Sequence, residues 1–424
     1  MAQCFEDFLT VADCVVIVGK SHPQFVESEV LTFHLDRVPG QPGYLGEYAY
    51  LLITIENARG NQQDLRYFVK CLPFSDPEQR SIIQKFGIFA KESRSYRDLL
   101  SRFNQDESKV IKWRPNCWFM RDDLLVMEDL HVQGYRSMPH GQDFEQDHML
   151  LVWERMAQMH ACSLELEHKQ MNGEKLEPKF STMMSETTFI RENSWFVVGL
   201  EGILKVALNA SKYSNKDEYR TGIESTMLDK MSIVYDLVQP TDCYQCVLVH
   251  RDLWFSNIMF QFCENSSNTV DFGQPISCVL LDFQMSRYLP PAVDFWCALY
   301  LLTRRKHRDR YYETYVNYYY SKLDEKLRLL NLNIASILPK KQFLETLDHY
   351  RLVGLLWSGV LLALVKLPEG FMAELHQEDP AAYHEFGMIS RDKLIMEFLQ
   401  KDPYYRDCLL DSVEETVEYL FRFK

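Results

Sequence analysis

The spacing of apolar residues changes along the chain, and the change divides it. Residues 48–55 (YAYLLITI) form a β-branched and aromatic run, and a second such run, 66–72, closes at Pro73. A polar turn over 56–63 separates them, so the pair predicts an antiparallel hairpin. Between 76 and 100 the apolar positions Ile82, Phe86, Phe89, Tyr96, Leu99 and Leu100 approximate helical spacing, with Asp76 and Pro77 as N-cap and first residue. Residues 118–120 and 124–127 predict a short strand pair around Arg121-Asp122-Asp123.

After Leu130 the pattern lengthens to a helical period. Met149, Val152, Trp153, Met156 and Met159 share one face over 147–164, and 186–238 reads as mostly helical with polar breaks. A short strand over 246–249 leads into His250. Residues 258–262 and 276–281, split by a polar turn at 264–268, predict a second hairpin. From 294 onwards the spacing is helical. Strands first, then helices with a small embedded hairpin, predicts an α+β chain with segregated parts rather than alternating βαβ units. The expected domains are a β-rich one over 1–130 and a mainly helical one over 131–424. The most apolar stretch, 352–365, is too short to span a bilayer and reads as a buried core helix.

Composition narrows the function classes. The 424 residues are 46% hydrophobic and 25% charged, as in globular proteins, which disfavours disordered and membrane-embedded readings. The net charge of −14 opposes phosphate backbones at long range, so a nucleic-acid partner is not expected. Eleven cysteines, an odd number, lie mostly in apolar runs, and Cys243-Tyr-Gln-Cys246 stands without a second pair at zinc spacing. A reducing, cytoplasmic location is expected, as the N-terminus has no basic region before a long apolar run. No obligate protein partner is evident.

The chemistry concentrates around the second hairpin. His250-Arg251-Asp252-Leu253-Trp254-Phe255-Ser256-Asn257 precedes it and Asp282-Phe283-Gln284 ends it. Phosphoryl transfer from ATP needs a carboxylate for the proton of the attacking hydroxyl and oxygen ligands that hold Mg²⁺ against the phosphates. Asp252 supplies the first. Asn257, five residues on, and Asp282, returned by the hairpin, supply the second. Lys70, near the end of the strand YFVKCLP, is placed to reach the nucleotide phosphates, and Glu92 in the following helix to pair with it. Gly43 and Gly46 punctuate the approach to the first strand, where backbone N–H groups could cradle phosphate. Singly, each residue has a plain structural reading. Their order, from glycine loop to Asp-Phe, points to a kinase-type site using ATP and Mg²⁺.

These residues resemble the insect ecdysteroid-kinase-like family, also called CHK-kinase-like, within the aminoglycoside phosphotransferase and choline kinase superfamily. The resemblance is carried by FVKCLP (68–73), Glu92-x3-Tyr96, LLVMEDL (124–130), MHACSL (159–164), HRDLWFSNIMF (250–260), LLDFQMSRYLPPAVDFW (280–296) and the Tyr-rich segment 315–323. It implies a protein-kinase-like two-lobe fold of the aminoglycoside phosphotransferase type. It also implies that the 127–130 connector, with Glu128 and Leu130, meets the adenine through its backbone, and that Asp294 braces the catalytic loop. Two departures stand out. Arg251 occupies a position that is usually glycine in that family, and the glycine loop GYLGEYAYL (43–51) is one residue short.

A protein-kinase reading fits less well. Only 12 residues separate Asp282 from Asp294, with Pro290-Pro291 inside and no Ala-Pro-Glu, and Gln284 replaces the glycine of Asp-Phe-Gly. The expected acceptor is therefore a small hydroxylated molecule. Trp296, Tyr300, Tyr311, Tyr312, Tyr315, Tyr319 and Trp357 read first as core, and any that line a pocket would suit a largely apolar alcohol such as a steroid, as the resemblance also implies. A choline- or aminoglycoside-type kinase, and a non-catalytic nucleotide or steroid sensor, are the alternatives. The basic run Arg304-Arg305-Lys306-His307-Arg308 reads as a solvated helix face, and His160 as a buried, hydrogen-bonded residue behind the catalytic loop.

Overall fold

A computed structural model describes residues 8–38, 46–73, 77–103, 106, 108–264 and 270–422. The chain runs through α1 (Val11–Ser21), β1 (Glu29–Arg37), β2 (Glu47–Glu56), β3 (Gln62–Cys71), α2 (Pro77–Phe86), α3 (Ile88–Arg94), β4 (Cys117–Arg121), β5 (Leu124–Glu128) and β6 (Arg136–Ser137). It continues through α4 (Gln146–Glu165), α5 (Leu176–Phe180), α6 (Ser194–Asn209), α7 (Asp217–Met231), α8 (Val234–Leu237), β7 (Val247–Val249), β8 (Ile258–Glu264), β9 (Val270–Leu280) and β10 (Arg287–Leu289). The remainder is helical: α9 (Ala292–Leu302), α10 (Arg305–Leu329), α11 (Ile334–Ile337), α12 (Lys340–Val365), α13 (Phe371–Glu378), α14 (Pro380–Met388), α15 (Asp392–Lys401) and α16 (Pro403–Phe421).

These elements form two compact units that interleave along the chain. One comprises Met1–Phe103, Lys112–Ser137 and Met259–Gln284; the other comprises Asn104–Ile111, Met138–Ile258 and Met285–Lys424. The embedded hairpin thus groups with the N-terminal residues, across the contiguous division at 130 that the sequence suggests. The first unit is built on an antiparallel sheet ordered β1-β2-β3-β5-β4. Strand β2 shows why: Ala49, Leu51, Ile53 and Ile55 are buried while Tyr48, Tyr50, Leu52 and Thr54 alternate on the other face. α1 joins the buried face through Cys14, Ile17 and Val18. Its start is fixed by a capping box, in which the Asp13 N–H donates to the Thr10 hydroxyl and the Thr10 N–H to the Asp13 carboxylate.

The predicted hairpin is β2–β3, in a register that sets Tyr48 opposite Lys70. Strand β1 and helix α1, which complete that sheet and its core, were not anticipated. The single helix expected over 76–100 is instead two, broken at Gly87, whose φ of 65° leaves the helical region. Its expected cap, Asp76, lies outside the described residues.

In the second unit the predicted face of α4 is fully buried, from Met149 to Met159. α12 is long and apolar enough to cross a membrane, yet every residue from Leu352 to Val365 is buried in packing. Its close crossing with α9 depends on Gly354, because a Cβ there would stand 2.5 Å from the Trp296 Cβ and 2.7 Å from its backbone carbon. Trp296, Tyr300, Tyr315, Tyr319 and Trp357 are all at most 4% exposed and serve as core.

Candidate active site

In the β-rich unit, β3 carries Lys70 to the sheet face opposite α1, and α3 brings Glu92 to it. The Lys70 Nζ donates to Glu92 Oε2 at 2.6 Å and to Asp282 Oδ1 at 3.0 Å. Glu92 is also held from its other side: its Oε1 accepts the Phe283 N–H at 3.1 Å. Burial alone would discharge the Lys70 ammonium, but Asp282 and Glu92 outweigh it and hold its pKa well above that of free lysine. The cation is therefore permanent at physiological pH.

Phe283 explains how Asp282 is aimed. Its ring is fully buried, edge-on to Tyr96 at 5.8 Å and to Trp113 at 5.6 Å. Tyr96 lies one turn after Glu92, so the same segment seats both halves of the Asp-Phe pair. Asp282 itself adopts φ 66°, a left-handed conformation that costs an ordinary residue roughly 1–2 kcal/mol. Anchoring of the next ring and the bond to Lys70 hold it there.

Gly46 sits directly over Lys70. A Cβ at that position would lie 3.2 Å from the Cys71 carbonyl oxygen and 3.6 Å from the Lys70 Cγ. Gly43 lies outside the described residues. In the connector, the Glu128 carboxylate takes bonds from the Asn116 N–H, Lys112 and Gln133. The Glu128 N–H donates to the Asn116 carbonyl, and the Leu130 carbonyl accepts from Gln133 and Tyr135. Those two backbone groups already have partners.

The helical unit holds the loop after β7. Asp252 and Asn257 are each 6% exposed, and a short 3₁₀ turn over Phe255–Asn257 folds the amide back. The Asn257 Nδ2 donates to the Asp252 carbonyl at 2.8 Å and to its Oδ2 at 3.2 Å. The amide thus spends its donor on Asp252 and keeps its oxygen to offer elsewhere. Behind the loop, Asp294 is fully buried and accepts the N–H groups of His250 and Arg251 at 2.7 and 2.5 Å. The His160 Nε2 lies 3.1 Å from Asp294, and its Nδ1 lies 2.7 Å from the Tyr319 hydroxyl. The tautomer that donates Nε2–H to the Asp294 carboxylate leaves Nδ1 to accept from the Tyr319 phenol.

The sequence offered no signal for Glu186. It precedes α6 and is held by a buried cluster: Arg251 donates to both its carboxylate oxygens, and Arg287 to Oε2 at 2.5 Å. Burial works to raise the Glu186 carboxyl, but Arg251 overrides it and keeps the group ionised far below the usual carboxylate range. Arg251 is 1% exposed, so its guanidinium does not point outward but is turned to Glu186.

The basic run at 304–308 is solvated only in part: Lys306 is exposed, but its three arginines are paired. Arg304 bonds Asp411, Arg305 bonds Glu418 and Arg308 bonds Glu415, three acids on one side of α16. Those acids lie more than 100 residues further on, so local charge patterning could not reveal them. Cys243 is exposed and Cys246 buried, and both are free.

Asn257 in the helical unit and Asp282 in the β-rich unit each carry a donor that suits a hard cation such as Mg²⁺, an amide oxygen in one and a carboxylate in the other. Among the described residues no group of three His, Cys, Asp or Glu side chains is disposed as a metal cage.

The model of the ecdysteroid kinase-like family matches residues 43–332, about two thirds of the chain. Among solved structures, an ethanolamine kinase of Plasmodium vivax is similar at 14% identity over 96% of this chain and 89% of that one, with a TM-score of 0.43. At that score the likeness is too loose to carry residues across. No curated protein matches.

Proposed function

This chain belongs to the ecdysteroid kinase-like family, and on that premise we propose that it is an ATP- and Mg²⁺-dependent small-molecule O-kinase. It transfers the γ-phosphate of ATP to an alcohol. The observation that carries this reading is the buried Lys70 ammonium, held by Glu92 and shared with Asp282. A fixed cation of this kind is what a nucleotide phosphate requires. Asp252 would orient the acceptor hydroxyl and take its proton. Asn257 and Asp282 would hold Mg²⁺, which neutralises phosphate charge when bound.

We assign the acceptor to hydroxylated, largely apolar small molecules, either steroid-like, as in ecdysteroids, or xenobiotic. The family's description is the support for this, since most of the aromatic residues that could have lined an apolar pocket are packed as core. A choline- or aminoglycoside-type acceptor is the alternative. The sensor reading drew on Arg251 and on the short glycine loop; the burial of Arg251 against Glu186 removes the first motive, and residues 43–45 of the loop lie outside the described residues.

The test is mass spectrometry of a metabolite extract incubated with protein, ATP and Mg²⁺. A phosphate mass gain on an alcohol is the expected result. The reading fails if no phosphorylated product forms from the extract or from a broad panel of steroid and xenobiotic alcohols.

A further inference from the structure

Arg251 and Asp252 are adjacent, so whatever fixes the backbone of the first aims the side chain of the second. Residue 251 is held at φ 71°, in the left-handed region that an arginine avoids when unconstrained. Upstream of that torsion, the N–H groups of His250 and Arg251 converge on the two oxygens of Asp294. Asp294 therefore grips the 250–251 peptide but leaves both dihedrals of residue 251 to be fixed by something else.

The far end of the side chain supplies the second grip. The guanidinium makes a two-pronged bond to Glu186 and lies 4.4 Å from the centroid of the Phe189 ring. Glu186 is itself immobilised, for its Oε1 accepts the N–H groups of Thr187, Thr188 and Phe189 at 2.9 to 3.1 Å. Phe189 in turn packs edge-on to Phe196, 4.4 Å between centroids, and to Trp357 at 5.5 Å. The 186–189 segment is thus a rigid post between α6 and α12, and Arg251 is tied to it. A lysine would lose the fork, and a glycine would need no tether, because it adopts positive φ without strain.

We propose that Glu186 is a positioning residue for Asp252. By tethering Arg251 in its left-handed conformation, it holds the 251–252 peptide in one orientation and keeps the Asp252 carboxylate beside Asn257. Without that carboxylate, Arg251 and Arg287 become two buried cations facing each other. Arg251 then leaves the pocket, its backbone relaxes, and Asp252 swings with it. The inference rests on the reading of Asp252 as the acceptor's base.

The test compares full-length Glu186→Gln with the double variant Glu186→Gln, Arg251→Gly, measuring kcat and KM for ATP. E186Q should lower kcat at least about 10-fold with KM within about 3-fold, since the nucleotide's own contacts are untouched. The double variant should recover most of that kcat, because the strain and one orphaned cation leave together. Its melting temperature should stay low, as Arg287 still lacks its carboxylate. A purely structural Glu186 would give the same kcat per folded molecule in E186Q, or a double variant no better than the single, and either result overturns the proposal. If E186Q does not fold, Arg251→Lys decides: a fall in kcat at unchanged KM supports the tether, and an unchanged kcat overturns it.

A readout independent of turnover separates this inference from the functional reading. Hydrogen exchange over 249–253 should speed in E186Q and slow again in the double variant, because the tether protects the amides bound to Asp294. That pattern in a protein with no kinase activity would keep the positioning role and sink the kinase. Unchanged exchange in an active enzyme would do the reverse.

Discussion

Two non-glycine residues with φ near 70°, Arg251 and Asp282, flank the hairpin that carries the candidate chemistry. Strain of this kind persists only where surrounding contacts over-determine it. At Asp282 those contacts are Lys70 and the seated Phe283 ring; at Arg251 they are Asp294 and Glu186. Asp252 follows Arg251 directly, so the contacts of Arg251 also fix the peptide that carries Asp252. Asp252→Asn preserves shape and the bond from Asn257 but removes the basic oxygen, so kcat should fall at least about 10²-fold, the scale of a positioned base. Steady-state kinetics with the acceptor found by mass spectrometry would measure it, and a fully active variant would remove Asp252 from its role. Gly46 offers a test from the other side of Lys70. The Cβ of Gly46→Ala would press on a backbone carbonyl that cannot yield freely, and overpacking of this sort costs about 1–3 kcal/mol. Denaturant titration should show a loss of that order. The shifted Lys70 should raise KM for ATP more than it lowers kcat.

Elements pack where side chains are small enough or charges complementary enough to let them. α9 and α12 meet at Gly354, where a Cβ would overlap the Trp296 backbone, so Gly354→Ala should cost about 3 kcal/mol or more. Gly387 in α14 has nothing within 4 Å of such a Cβ, and Gly387→Ala should instead stabilise by up to about 1 kcal/mol. Urea midpoints would show whether the two glycines differ in sign. α10 and α16 are joined by charge. Burial works to raise the Glu418 carboxyl, but Arg305, Lys212 and Tyr213 outweigh it and pull it down to about 2, from an ordinary 4.5. Because the folded value is the lower one, the stabilisation is full above pH 4.5 and disappears as pH falls towards 2. The melting-temperature gap between wild type and Glu418→Gln should be constant from pH 6 to 5 and close below pH 4.5. A gap that widened on acidification would contradict the pairing. These elements also show what the chain discloses locally. β2 and β3 were legible because two β-branched and aromatic runs joined by a polar turn need no distant partner to be seen, and Lys70, Glu92 and Asp282 were legible because each lies in a short motif with fixed spacing. Gly354 against Trp296, and Arg304, Arg305 and Arg308 against Asp411, Glu418 and Glu415, were not. Each is a pairing of distant segments, and neither half carries a pattern that names the other. Glu186 is hidden for the same reason, 65 residues before the arginine it holds.

At the scale of the whole molecule, a net charge of −14 sets a condition on any anionic ligand. ATP approaches a long-range field that repels it, and the local field does not reverse this unaided, since Lys70 is flanked by two carboxylates. A divalent cation changes the sign: on the proposed reading it would be met by the Asp282 carboxylate, leaving Lys70 free to act on phosphate rather than on Asp282. ATP binding should therefore depend steeply on Mg²⁺. Stabilisation follows RT ln(1 + [ATP]/Kd), so ATP at 100 times Kd adds about 2.7 kcal/mol, and a 100-fold weaker Kd in EDTA would cut that to about 0.4 kcal/mol. A thermal shift that survives EDTA undiminished would remove the metal from the binding step. Asp282→Asn separates the metal's contribution from simple repulsion. It removes the charge of one of the two acids facing Lys70 and leaves a neutral amide oxygen where a carboxylate would meet the metal, so the response to Mg²⁺ should weaken while ATP alone binds no worse than to wild type. If ATP alone instead bound less well, Asp282 would be orienting Lys70 rather than competing with phosphate for it.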